Sequence, residues 1–221
     1  MFNKSLKFLQ LLQQNNNRDW FHANKSIYNE AKAEFELVTE ILIHEVSRFD
    51  KDIAGLQPKD CIFRIFRDIR FSSDKTPYKT NFGTYLVHGG RNSGFAGYYF
   101  HLDIKGSFLA GGIYMPPSEI LKAVRNEIYE HPEEFKNILS EAKRHNEFNV
   151  LHDEKLKTAP KGFPRDFPDI ELLKYKSYGL SRIITDSELS SDKILNTIIE
   201  NFKIIKPMIC FINNAIESKM N

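Results

Sequence analysis

Cysteine is nearly absent from this chain: among 221 residues there are two, Cys61 and Cys210, and no C-x-x-C pair. That scarcity excludes a disulfide scaffold and a cysteine-built zinc site. In their apolar surroundings both thiols read as small buried hydrophobes. A dominant charge of one sign is also missing. With 31 basic and 29 acidic residues the formal net charge is +2, whereas a dedicated duplex-DNA binder carries a strong basic excess. A local basic patch stays open. No stretch approaches the roughly 20 apolar residues of a membrane span. The opening M-F-N-K-S-L-K-F-L-Q-L-L-Q-Q has no continuous apolar run and no small-residue cleavage site, so it does not read as a signal peptide. Residence in a reducing cytoplasm, away from membranes, is the expectation. Internal repeats, low-complexity tracts and a linker-like change of composition are lacking too.

What the chain has is aromatic mass: 18 Phe and 9 Tyr within a hydrophobic fraction of 41%. A chain of this length buries roughly 70% of the surface it exposes when unfolded, so its core needs no covalent staple. Length alone fits one large domain or two small ones. Without a linker, the reading is one domain over residues 1–221.

The first fifty residues carry a helical pattern. Leu6, Leu9 and Leu12 recur every third residue, and Asn15, Asn16 and Asn17 interrupt them. Trp20, Phe21, Ile27, Ala31, Phe35, Val38, Leu42, Val46 and Phe49 then mark one side of an amphipathic helix, with a break near Asn24. Gly55 and Pro58 end that region. C-I-F-R-I-F-R, short and rich in β-branched and aromatic residues, predicts a strand at 61–67, and residues 68–80 a long ordered loop. Further strands are predicted at 82–88, from Gly97 and from Ser107, with a tight turn at Lys105-Gly106. Short connections make these an antiparallel meander. Helices should open at Pro117 or Ser118 and at Pro132. Residues 146–170 are irregular, and Y-G-L-S-R-I-I-T adds one later strand. A C-terminal helix begins near Asp192, with Pro207 kinking it or separating a last short helix. The fold class is α+β: an antiparallel sheet from the middle of the chain plus the later strand, covered by N- and C-terminal helices.

The densest chemistry lies between residues 64 and 81, R-I-F-R-D-I-R-F-S-S-D-K-T-P-Y-K-T-N. Arg64, Arg67, Arg70, Lys75 and Lys79 face only two acids, Asp68 and Asp74. Guanidinium forks suit carboxylates and phosphates. On a regular strand Arg67 falls on the apolar side with Phe63, Ile65, Ile69 and Phe71. A buried guanidinium needs a partner there: Asp68, Asp74, a helix glutamate or a ligand, unless a bulge near Asp68 swings it out. The following D-K-T-P-Y-K-T-N supplies ammoniums and hydroxyls suited to phosphate oxygens.

The pattern R-x-x-R-D-x-R-F-x-x-D-K-x-x-Y, met by Arg64, Arg67, Asp68, Arg70, Phe71, Asp74, Lys75 and Tyr78, resembles the signature of a conserved hypothetical family of bacteria and fungi, a domain of unknown function. The resemblance continues at Asn16, Trp20-Phe21, residues 97–100, Gly111-Gly112 before Pro116, Leu156-Lys157 and Pro160-Lys161-Gly162-Phe163. It implies one domain and cytoplasmic residence, and brings no activity, cofactor or catalytic residue.

Other signals are weaker. L-K-T-A-P-K-G-F at 156–163, followed by Lys174 and Lys176, is a second basic loop that makes one cationic pocket with the first only if it folds over it. Asp103-Ile104-Lys105 has the D-x-K spacing of some metal-dependent nucleases but falls at a hairpin turn. His88, His101 and Asp103 form a metal set only if they meet across strands. Gly89-Gly90 and Gly111-Gly112 lack phosphate-loop spacing and read as kinks or close packing. Tyr98, Tyr99 and Phe100 resemble a stacking platform for single strands, and belong to the core unless two or more prove exposed. No cofactor motif and no Ser–His–Asp or Cys–His signature is present.

The functional expectation is an anion-binding domain for phosphate, nucleotide or nucleic acid. Arg64, Arg67, Arg70, Lys75 and Lys79 make its contacts, Asp68 and Asp74 orient the arginines, and Tyr78 donates a hydroxyl. The alternatives are an acid/base or metal-dependent enzyme using Asp68 or Asp74 in the same pocket, and a purely structural clasp in an interaction module. The sequence identifies no protein partner.

Overall fold

Asparagine punctuates the N-terminal helices where the sequence indicates. In the computed structural model, which describes residues 1–145, 148–150 and 154–220, α1 spans Asn3–Gln14, α2 Arg18–Ala23 and α3 Lys25–Phe49. Asn17 caps α2 by accepting the Trp20 amide at 2.9 Å, and Asn24 donates to the Trp20 carbonyl at 2.9 Å, marking the break before α3. Buried Ser5, Phe8, Leu9 and Leu12 form the α1 stripe, and Ala31, Phe35, Val38, Leu42 and Val46 that of α3. These are the steps of three and four that one helix face demands. A short 3₁₀ turn at Lys51–Ile53 and α4 (Pro58–Cys61) follow.

The strands are β1 (Asn81–Leu86), β2 (Gly97–Asp103), β3 (Ser107–Ile113), β4 (Asn149–Val150) and β5 (Tyr178–Ile184). Among the described residues they form one antiparallel sheet in the order β1-β2-β3-β5-β4. The first three are the expected meander and β5 the expected later strand. In β4, a two-residue strand inside the region read as irregular, Asn149 lies opposite Ser181 and Val150 opposite Leu180. The remaining helices are α5 (Ser118–Glu130), α6 (Pro132–Arg144), α7 (Ile170–Leu173), α8 (Asp186–Leu189) and α9 (Ile194–Met220). Part of the irregular reading over 146–170 lies outside the described residues.

Three expectations need correction. No continuous strand forms over 61–67: Cys61 closes α4, and two isolated bridges stand in place of a ladder. Pro207 does not separate a last short helix, since it lies inside the unbroken α9. The buried residues on both sides of it, Phe202, Ile205, Met208 and Ile212, hold the helix where the missing N–H weakens it. Cys61 is buried but Cys210 is exposed.

The chain gathers into two compact units. The first comprises residues 1–91, 99–109 and 183–200. Its core is aromatic: Phe35 stacks on Phe82 (centroids 5.2 Å apart) and on Phe100 (6.2 Å), Phe2 meets Phe100 at 5.4 Å, and Phe8 meets Phe82 at 6.0 Å. Offset and tilted rings at these separations add to their burial. The second comprises residues 92–98, 110–182 and 201–221. There Phe135 packs on Phe211 and Tyr98 on Phe202. Gly111 and Gly112 are close-packing glycines, as expected. A Cβ on Gly111 would lie 2.1 Å from Ile205 Cγ2, and one on Gly112 (φ +130°) 2.2 Å from the Tyr178 carbonyl oxygen.

Candidate functional site

Residues 62–84 fold back on themselves in an irregular antiparallel pairing. Ile62 bridges Thr84 and Phe66 bridges Tyr78, with Phe63 N–H donating to the Gly83 carbonyl (3.0 Å), Lys79 N–H to Ile65 (2.8 Å) and Arg67 N–H to Pro77 (3.0 Å). Four residue steps from Ile62 to Phe66 thus face six from Tyr78 to Thr84. The surplus lies between Lys79, still bonded to Ile65, and Gly83, bonded to Phe63, so that Arg64 alone faces Thr80, Asn81 and Phe82, and Pro77 has no N–H to continue the ladder. The bulge therefore lies on the partner segment, not near Asp68. Asn16, in the link between α1 and α2, anchors the turn, accepting the Tyr78 amide at 3.1 Å and donating to its carbonyl at 2.9 Å.

The loop closed by the Phe66–Tyr78 bridge is tied internally. Arg67, whose side chain is 25% exposed, pairs with the Asp74 carboxylate and donates to the Thr76 hydroxyl. Asp74 also accepts the Thr76 amide at 2.9 Å and its hydroxyl at 2.8 Å. The Thr76 amide, the Arg67 guanidinium and the Thr76 hydroxyl together pull the Asp74 carboxyl down to about 2. Arg70 grips Asp68 with two parallel bonds, Nε to Oδ1 at 2.9 Å and Nη2 to Oδ2 at 2.6 Å. That pairing holds the Asp68 carboxyl below its ordinary range, with the Arg64 charge helping. Lys75 Nζ donates to the Ile69 carbonyl at 3.0 Å. Arg67 thus finds the partner its position demands.

Three cations remain without an acid: Lys75, held on the Ile69 carbonyl, Arg64 and Lys79. Arg64 is exposed and Lys79 half-buried. Among the described residues no carboxylate pairs with either side chain. Lys79 Nζ lies 5.5 Å from the centre of the Phe63 ring. Burial, and then the neighbouring Arg64 charge, lower its proton affinity. The positive surplus of the sequence is therefore shared by Arg64, Lys75 and Lys79, while Arg67 and Arg70 each hold an acid. Tyr78 stands apart: it is 3% exposed, its ring stacked on Phe21 with centroids 4.1 Å apart. It supports the loop from below.

The half-buried side of β2 carries a second polar group. The Tyr99 hydroxyl lies 2.9 Å from His101 Nδ1, and Asn81 Nδ2 3.5 Å from the same nitrogen. His101 Nε2 lies 3.7 Å from Asp103 Oδ2. An amide donor at Nδ1 favours the tautomer that accepts the Tyr99 proton there and turns Nε2–H toward Asp103. The His101 ring stacks on Phe108 at 4.5 Å, and Tyr99 meets Phe63 edge-on at 6.1 Å. Gly83 makes room for the phenol, since a Cβ there would lie 2.7 Å from its oxygen. Burial lowers the His101 pKa against the pull of Asp103, and raises that of Tyr99 to about 12.

The weaker signals resolve locally. Among the described residues no three His, Cys, Asp or Glu side chains converge to hold a metal. Asp103 fastens its hairpin, accepting the Lys105 amide at 2.9 Å and the Ser107 hydroxyl on its carbonyl at 3.1 Å. Tyr98 and Phe100 are fully buried and only Tyr99 reaches solvent, so that trio belongs to the core. In the second unit Lys174 and Lys176 pair with Glu171 and Glu154, whereas Lys157 and Lys161 are exposed. The sequence reading overlooked three exposed phenylalanines, Phe63 (36%), Phe66 (48%) and Phe71 (96%). Their clustering between charges was the available signal. It also overlooked Arg125, a buried arginine of α5 whose Nη2 donates to the Tyr175 carbonyl at 2.9 Å.

A model of a conserved hypothetical protein family, DUF2461, matches residues 4–211, and the chain belongs to that family. No curated protein and no solved structure matches it.

Proposed function

We propose that this member of the DUF2461 family binds anions, with Arg64 and Lys79 making the direct contacts to a phosphate-bearing ligand. One observation carries the reading. Arg64 and Lys79 have no carboxylate bonded to them, whereas Arg67 and Arg70 each hold one, and Lys79 lies half-buried against Phe63, an arrangement that leaves positive charge for an anion to bind. The loop acids are engaged elsewhere: Asp74 on Arg67 and Thr76, Asp68 on Arg70. Asp68 and Asp74 position the arginines, and Arg67 and Lys75 hold the loop. Arg70, exposed and paired with Asp68, holds the loop with them. Isothermal titration with inorganic tripolyphosphate at low salt tests this. Binding should weaken about tenfold or more in Arg64→Ala and in Lys79→Met, since a hydrogen bond to a charged group contributes roughly 1.5–3 kcal/mol. Equal heats from wild type and the double variant would overturn it.

A second reading, an enzyme acting on the same ligand class, is favoured by the Tyr99–His101–Asp103 chain. Asp74, held at about 2, is too weak a base for chemistry near neutrality. His101, kept neutral by burial, is able to take a proton. Phosphate release from tripolyphosphate that is lost in His101→Asn while binding persists supports this reading. Release that is absent, or unchanged in the variant, rejects it.

A further inference from the structure

Three phenylalanines within nine positions of one loop face solvent, and each has a cation close to it in space or in sequence. Phe71 is 96% exposed, with Arg70 Cζ 5.8 Å from its ring centre. Phe63 is 36% exposed, with Lys79 Nζ 5.5 Å from its ring. Phe66 is 48% exposed, resting on Phe21 and Tyr78 at 5.9 and 5.5 Å, and Arg67 follows it. An exposed Phe is ordinary on a floppy segment, but this loop is fastened. Arg67 is clasped to Asp74 and Thr76, Arg70 to Asp68 and Lys75 to the Ile69 carbonyl. The rings are therefore presented on a preorganised support, which lowers the entropy lost on binding.

We infer that the ligand is single-stranded nucleic acid, whose unpaired bases stack on Phe71, Phe66 and Phe63 while Arg64 and Lys79 take its phosphates. This rests on the anion-binding reading and narrows it. Aromatic faces interleaved with cations that track a backbone are the recurring design of sequence-tolerant single-strand binders. A duplex keeps its bases stacked inside and offers these rings nothing. The chain's near-zero net charge (+2) fits a short site that neutralises a few phosphates, not one that follows a duplex.

Fluorescence anisotropy of the full chain with labelled oligothymidylate of about 12 nucleotides tests the inference, since single-strand modules cover roughly 4–16 nucleotides. An abasic strand of the same length, inorganic tripolyphosphate and phosphatidylserine vesicles are the other probes. The expected result is tighter binding of oligothymidylate than of the abasic strand. Affinity should fall about five- to 150-fold in Phe71→Ala and also in Phe71→Leu, because leucine keeps the apolar surface but not the stacking face. The salt slope should flatten by about 0.7 in Lys79→Met, one phosphate's share on a single strand. At 96% exposure, position 71 tolerates either substitution without loss of fold. Equal binding of abasic strand and oligothymidylate, or binding of tripolyphosphate alone, overturns the stacking inference and leaves the anion reading standing. Binding of none of the phosphate probes overturns both. Capture by vesicles but not by oligothymidylate, retained in Phe71→Leu, overturns it in favour of a lipid surface.

Discussion

Lys79→Met separates a binding cation from a structural one, because the two roles move stability and affinity in opposite directions. The wild-type ammonium sits half-buried over Phe63 and near Arg64. Removing its charge forfeits a cation–π contact of about 0.5–1 kcal/mol. It also relieves desolvation and the repulsion from Arg64, and methionine keeps most of the apolar stem. The terms oppose, so Tm should rise or shift by no more than about 4 °C, the span that 1 kcal/mol covers in a chain of this size. The pH dependence has a definite sign. Lys79 has a lowered pKa in the folded state, so the unfolded chain holds more protons between that value and its ordinary pKa near 10.4. Wild-type stability therefore rises with pH through that window, and any advantage of the variant is full below it and fades across it. Tripolyphosphate affinity, by contrast, should drop about tenfold or more. Thermal scans from pH 7 to 11 and titration calorimetry read the two effects. A collapse of Tm with unchanged affinity would refute the reasoning and make Lys79 a structural group.

Asp74 has a lowered carboxyl, so its stabilising contribution is present above the unfolded value near 3.9 and lost as pH falls through about 2. The Tm gap between wild type and Asp74→Asn should accordingly close across that interval in an acid series. Gly112→Ala forces a Cβ against the Tyr178 carbonyl at 2.2 Å from a left-handed backbone. A cost of about 3 kcal/mol or more is expected in urea unfolding, and a stable Ala variant would contradict this packing. Cys61 is buried with its thiol pushed up to about 12, while Cys210 is exposed. A thiol reagent at neutral pH should label one site per native chain and two in denaturant. Rapid labelling of both would show Cys61 accessible.

Helices and meander were legible because each rests on local rules. The three-residue spacing of Leu6, Leu9 and Leu12, the asparagines at 15–17 and the prolines at 117 and 132 act within a turn or two. Residues 61–67 misled because β-branched and aromatic composition does not reveal register. The two-residue mismatch opposite Tyr78–Thr84 arises from long-range pairing and from Pro77. Cys210 was read as buried from its apolar neighbours, yet Ile209 and Phe211 point inward while position 210 points out, a helical phase that composition ignores. At the site, the need of Arg67 for a partner was legible from strand alternation. Which cations stay unpaired was not, since that depends on how Asp68 and Asp74 fold back on their own loop. His101 and Asp103 were legible only as metal-ligand candidates beside His88, and Tyr99 joins them because Gly83 lets the phenol in.

The most direct test of the central claim, that Arg64 and Lys79 take the anion, is an NMR titration. It follows the Arg64 Nε–H and Lys79 Cε resonances as inorganic tripolyphosphate is added. Both should shift together and saturate at one concentration, with Arg67 unmoved. Shifts confined to Arg67 and Arg70, or no shift at all, would contradict it.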